Sequence, residues 1–182
     1  RESISLDKPN EFLLYLMVAG NSWQEAQFQI KNLKEFGMLQ SNSVEIVFRE
    51  QLKKGSLDTL LEWVEFLETK HGIKPQFLMM KAEIYREQQK KELVINTLRK
   101  AVKAFPSNNQ LIFLKAVYLF NYNLLVEAST DLNLLLVHGY RQNEVHFFLG
   151  AIAEASGYYA EAIKHLLFIT NSDSEIYFIS RK

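Results

Sequence analysis

Residues 150–166 read GAIAEASGYYAEAIKHL. Gly150 and Gly157 frame a run of helix formers, and Ala162 follows shortly after. Placing the smallest residues at these three positions reads as a helix, a tight turn at Gly157, and a second helix pressed closely on the first.

The pattern recurs along the chain. A step of 34 residues back from Gly150 meets Ala116 and then Ala82, both small. The same step back from Ala162 meets Ala128, Val94, Leu60 and Ala26. From Gly157 it meets Asn123, Gln89, Gly55 and Asn21, and three of those four are Asn or Gly, which tolerate left-handed turn geometry. From Leu166 it meets Leu132, Leu98, Val64 and Ile30, all aliphatic. No insertion interrupts the register, and a fixed period of this length marks a stacked array.

Composition agrees with an all-α array. The chain has 182 residues, within the size of one domain, and its 48% hydrophobic content can fill a core. Only 3 Pro and 7 Gly are present, so long loops are not expected. The spacing predicts helices over 10–20, 22–36, 41–54, 57–70, 75–88, 91–104, 108–121, 125–138, 142–156 and 159–170. Ile95, Leu98, Val102 and Phe105 sample the buried stripe of one second helix. One pair alone cannot bury its stripe, whereas stacked neighbours can.

This register resembles the tetratricopeptide repeat family. The copies would be 7–40, 41–74, 75–108, 109–142 and 143–176, nearly the whole chain. The third supplies Ala82, Tyr85, Ala101 and Pro106; the fifth supplies Leu149, Gly150, Gly157, Tyr159, Ala162 and Leu166. The fourth matches at Ala116, Ala128 and Leu132. The first two are degenerate, with Leu14 and Phe48 at the small position, and are expected to pack irregularly. Lys81 and Lys115 stand where the family has leucine, and Met80 and Leu114 are expected to take over that packing. The fold so implied is a right-handed superhelix of about five helix pairs. The tail SDSEIYFISRK opens on a Ser172–Glu175 capping pattern, and 177–182 would belong to a cap or a shortened further helix.

Charge and chemistry exclude several functions. Twenty-one basic residues balance 21 acidic ones, so the excess that releases counterions from nucleic acid is absent. The richest basic stretch, KELVINTLRKAVK, repeats its cations on one helical face and reads as solvated. A helical-repeat RNA binder would also need a basic groove and a slightly longer period. No cysteine is present, which removes disulfides, thiolate metal sites and cysteine nucleophiles. That fits any compartment, cytoplasmic or extracytoplasmic, and leans toward the latter. No apolar run is long enough to span a membrane. The chain opens on Arg1, which reads as a mature or excised piece of a longer product.

The four histidines, His71, His138, His146 and His165, form no His-x-x-x-His pair. His138 and His146 flank a turn and could meet, as surface or partly packed residues rather than ligands. Glu62, Glu65 and Glu68 read as a solvated face, and Trp23 and Trp63 as packing residues. No phosphate-binding loop or nucleophile motif occurs, so neither an enzyme, a cofactor nor a metal is expected.

In the family, the first helix of each pair lines the concave surface. By that resemblance the groove residues of the third copy are Met79, Glu83 and Arg86. Those of the fourth are Phe113, Val117 and Phe120, and those of the fifth are Phe147, Ala151 and Glu154. The N-terminal half of the groove would be mixed and charged, and the C-terminal half apolar. Exposed rings in a concavity call for a cover, which a partner helix or extended peptide would supply. The opposing reading packs the same phenylalanines on the neighbouring repeat. The lysine and asparagine clamp that some members use for C-terminal carboxylates is absent, since Glu11, Tyr15, Glu45, Arg49, Met79 and Glu83 hold those places. The expected function is a protein-binding scaffold within a larger assembly or longer polypeptide, as in bacterial envelope, pilus or polysaccharide-export machinery. The alternative is a regulatory or positioning domain for an enzyme encoded elsewhere.

Overall fold

The turn residues come first, because they set the register. Gln89, Asn123 and Gly157, one repeat apart, have φ of 58°, 61° and 81°. After each, the next N–H, from Lys90, Leu124 and Tyr158, donates to the carbonyl of Tyr85, Leu119 and Ala153 at 2.9, 2.8 and 2.8 Å. The left-handed residue itself donates to Arg86, Phe120 and Glu154 at 2.8, 2.9 and 2.9 Å. This is the Schellman closure of a helix C-terminus, repeated at all three places. The Gly55 and Asn21 positions lie outside the described residues.

A computed structural model of the chain describes residues 48–49, 52–53 and 57–169. The chain divides into two units, Arg1–Gly72 and Ile73–Lys182. In the first, α1 spans Leu57–His71 and buries Leu60, Val64 and Leu67 at helical spacing. Its Glu62 and Glu65 are exposed, but Glu68 is half-buried with one carboxylate oxygen enclosed, so the expected solvated face holds only for the first two. Phe48, in the small position of its copy, is itself buried.

The second unit holds six helices among the described residues. They are α2 (Pro75–Glu87), α3 (Lys91–Ala104), α4 (Asn109–Asn121), α5 (Leu125–Val137), α6 (Gln142–Ala155) and α7 (Tyr159–Leu167). Each starts within one residue of the spacing-based expectation. The last ends at Leu167 rather than 170. No strand occurs among the described residues. Pro75 opens α2, where its missing N–H costs nothing, and Lys74 before it is extended, as a residue preceding proline must be. Asn108 caps α4 by accepting the Leu111 N–H at 3.1 Å.

Within this unit each helix packs on its sequence neighbours from α2 through α7, and α4 also touches α6. One continuous core runs through them, from Ala82 on α2 through Leu98, Ile112, Leu119, Leu132 and Leu135 to Leu149 and Ile152 on α6. Fully burying a leucine of this kind contributes roughly 1.5–3 kcal/mol. The small positions fall where helices come closest: Ala82, Ala116 and Ala128 have no exposure, and Gly150 is buried against α7. A Cβ built on Gly150 would lie 3.1 Å from Leu166 Cδ2 and 3.4 Å from the Ala162 carbonyl oxygen. The opening stretch is therefore a helix pair in which glycine and alanine face each other. Met80 is buried and Leu114 packs on the core, in the roles expected of them.

Lys115 behaves differently from the leucine it replaces. It is buried, and its Nζ lies 3.0 Å from Asp131 of α5 and 4.0 Å from Glu127. Burial raises the Asp131 pKa, with Lys115 opposing. Glu127 also receives Arg99 of α3, through Nε at 3.1 Å and a terminal nitrogen at 2.6 Å. That fork holds the Glu127 carboxyl below its ordinary range. Lys91 of α3 donates to the Tyr122 carbonyl at 3.1 Å and sits over the Tyr122 ring.

Candidate partner-binding face

Helix α4 is buried on two adjacent sides, along Leu111, Lys115 and Tyr118 and along Ile112, Ala116 and Leu119. What remains is the strip Phe113, Val117 and Phe120, half-buried at i, i+4 and i+7. The matching strip on α2 is Met79 and Glu83, half-buried, and Arg86, exposed. On α6 it is Phe147 and Ala151, half-buried, and Glu154, exposed. The three first helices thus leave the same register open.

Ring contacts decide what that register presents. Phe148 of α6 stands between Phe113 and Phe120 of α4, edge to face with both, at centroid distances of 6.0 and 5.3 Å. Phe147 meets Phe148 at 5.7 Å. Phe113 also meets Tyr140 at 6.1 Å, and the Arg141 guanidinium lies 5.2 Å from the Phe113 centroid and 5.8 Å from that of Tyr140. Phe113, Phe120 and Phe148 also pack on the core, while Phe147 touches only Phe148 among the described rings. Phe113 and Phe120 thus support the neighbouring repeat with one side and stay half-exposed on the other. Edge-to-face pairs of this kind contribute about 0.5–1.5 kcal/mol beyond their buried area.

Three members of the cluster were outside the sequence expectation. Phe148 sits one place past the groove register, and the Phe147–Phe148 doublet was its only signal. Tyr140 and Arg141 belong to the α5–α6 connection, where Arg141 takes φ of 46°. No periodic pattern reaches a connection. The charged end of the expected groove stays at the surface, with Arg86 exposed and Glu83 half-buried. Arg86 hydrogen-bonds Glu87 and lies beside Tyr118, whose phenol is pushed up by burial and pulled back by Arg86.

The histidines pair otherwise than their spacing implied. His138 binds Asn109 at 2.7 Å, so it does not meet His146. His146 Nδ1 instead faces His165 Nδ1 at 3.0 Å across α6 and α7, and the His146 ring stacks on Phe168. Burial, then His165, lowers the His146 pKa. Among the described residues no group of three or more His, Asp or Glu is placed to hold a metal ion. None of the described helices is long and apolar enough to cross a membrane.

Tandem helix pairs, left-handed turns at a fixed step and small residues at Ala82, Ala116, Ala128, Gly150 and Ala162 define a helical-repeat protein. The chain has the tetratricopeptide-repeat fold. A thermophilic TPR protein of Thermus thermophilus superposes with a TM-score of 0.63 at 17% identity, over 96% of this chain and 97% of that one. A tetratricopeptide repeat protein of Parabacteroides merdae gives 0.67 at 14% identity, over 94% of this chain and 70% of its own. The MamA structure designated AMB-1 gives 0.61 at 18% identity, over 95% and 96%. No protein-family model and no curated protein sequence matches the chain.

Proposed function

We propose that this chain is a non-enzymatic scaffold that holds a protein partner, as a helix or an extended peptide, on the shared face of α2, α4 and α6. The observation that carries this reading is the aromatic strip. Phe113, Phe120, Phe147 and Phe148 form a contiguous, partly open cluster on the helices that line the inner surface in this fold. Val117 and Ala151 continue it with small apolar ground, and Met79, Glu83, Arg86 and Glu154 border it. A partner covering two or three rings would gain several kcal/mol at roughly 25 cal/mol per Å². The same reading extends the repeat register through 7–176 as one array and places the chain in a larger assembly or a longer polypeptide.

Phe147 is the position to change. Phe113 is held by two rings and a guanidinium, so a charge there would damage the fold as well as the face. Wild type, Phe147→Glu and Val117→Glu should be used as matched baits in affinity capture from the source cell, with circular dichroism checking helicity. A partner held by wild type and lost by both folded variants is the expected result. A partner retained equally by all three would remove this face from the function.

A further inference from the structure

Resting on that reading of the face, we infer that its occupant carries a carboxylate among its apolar residues, and that Arg141 receives it. Arg141 is exposed, and its guanidinium is held over the Phe113 and Tyr140 rings. The comparison is with the other described arginines of this unit, and with the buried lysine. Arg99 is forked onto Glu127, Arg86 is bound to Glu87, and Lys115 is buried on Asp131. Arg141 makes no ion pair among the described residues; rings alone hold it in place. A guanidinium over an aromatic face keeps its N–H donors in its own plane, free for an incoming carboxylate. Its side-chain freedom is already reduced by the two rings, so less entropy is lost when the acid arrives.

The location fits one continuous site. Phe113 beneath Arg141 touches Phe148, which touches Phe120 and Phe147. The cation therefore marks one end of the apolar strip. Glu154, exposed on the last turn of α6, marks the other. At 1.5 Å rise per residue the two ends are about 20 Å apart along α6. Glu144 lies one turn into the same helix and makes no ion pair with Arg141. A partner's acid thus gains from Arg141 and loses against Glu144, and the chain as a whole has net charge 0. Recognition depends on direct contact at Arg141 and not on a long-range field.

The backbone supplies a clean variant. At φ of 46° Arg141 occupies the left-handed region, which glycine adopts without strain. Arg141→Gly removes the guanidinium and its ring contacts but relieves the left-handed backbone, so the two effects offset and the melting temperature should change little. Peptides should be selected from a random displayed library on the full wild-type chain, and in parallel on Arg141→Glu. The expected wild-type peptides combine Asp or Glu with aromatic or aliphatic residues. They should lose about ten- to a hundredfold in affinity on Arg141→Gly, the loss of one charge-assisted contact. The Arg141→Glu selection should turn toward Lys or Arg. Peptides that depend on Phe147 but show no acid and tolerate Arg141→Gly would overturn this inference and leave the face standing. Peptides indifferent to both Phe147→Glu and Arg141→Gly, or an empty selection, would overturn both.

Discussion

At Gly150 a single hydrogen atom sets the distance between two helices. A methyl group there would press on Leu166 at 3.1 and 3.2 Å, and Leu166 has a side chain that can yield. Gly150→Ala should therefore be close to neutral, because alanine's helix propensity, worth about 1 kcal/mol over glycine, offsets the crowding. Gly150→Leu has no such escape, since the Ala162 carbonyl is backbone and cannot move alone. It should cost about 1–3 kcal/mol or more, read as a lower midpoint in urea unfolding followed by circular dichroism. An unchanged midpoint would mean that α6 and α7 do not close as described. The same scale shows why the turn residues differ in name and agree in shape. Gln89 and Asn123 adopt the angle that Gly157 takes freely, because the Schellman bonds behind them compensate for the strain.

Between elements, the ion pair of α4 and α5 has no counterpart in the apolar pattern. Lys115 stands where the fifth copy has Leu149, and Asp131 faces it from the next helix. Two buried charges lose more hydration than a leucine pair would, and their mutual attraction returns only part of it. Removing Asp131 leaves the buried Lys115 only Glu127, at 4.0 Å, as a counter-charge among the described residues. Asp131→Leu alone should destabilise by about 3–5 kcal/mol, whereas Lys115→Leu with Asp131→Leu should be neutral or stabilising by about 1–4 kcal/mol. A thermal melt of the two variants beside wild type decides it. If the double variant melts no better than the single one, the pair contributes more than its burial costs. Arg99 and Glu127, more exposed, should matter less.

Within the second unit, described contacts run only within a repeat or to the adjacent one, so damage at one end of it need not reach the other. The His146–His165 contact gives a way to see this. An Nδ1···Nδ1 hydrogen bond needs one nitrogen to donate and the other to accept, so it does not survive protonation of both rings. Burial and His165 both hold the His146 pKa down. The folded state therefore binds its proton less readily than the unfolded chain. Its stability is intact above the ordinary histidine value of about 6.5 and falls as pH drops below it. Native-state hydrogen exchange should show amides of α6 and α7 losing protection below that pH, while α2 and α3 keep theirs. His146→Phe, which preserves stacking on Phe168, should abolish the difference. Uniform loss across all helices would contradict nearest-neighbour coupling.

What the sequence by itself determined is what repeats. Helix starts, left-handed turns at Gln89, Asn123 and Gly157, and small residues at Ala82, Ala116, Gly150 and Ala162 all follow from period and residue size. These are local properties, copied from repeat to repeat, so one chain shows them several times over. The strips on α2, α4 and α6 came from the resemblance to the repeat family, since a period alone does not say which helix face stays open. Only the tertiary structure decided the rest. It placed Phe148 between Phe113 and Phe120, set Arg141 on two rings, buried Lys115 against Asp131, and paired His146 with His165 rather than His138. Each of those contacts joins residues on different helices or in a connection, where no period runs, and its partner is fixed by how helices pack side by side.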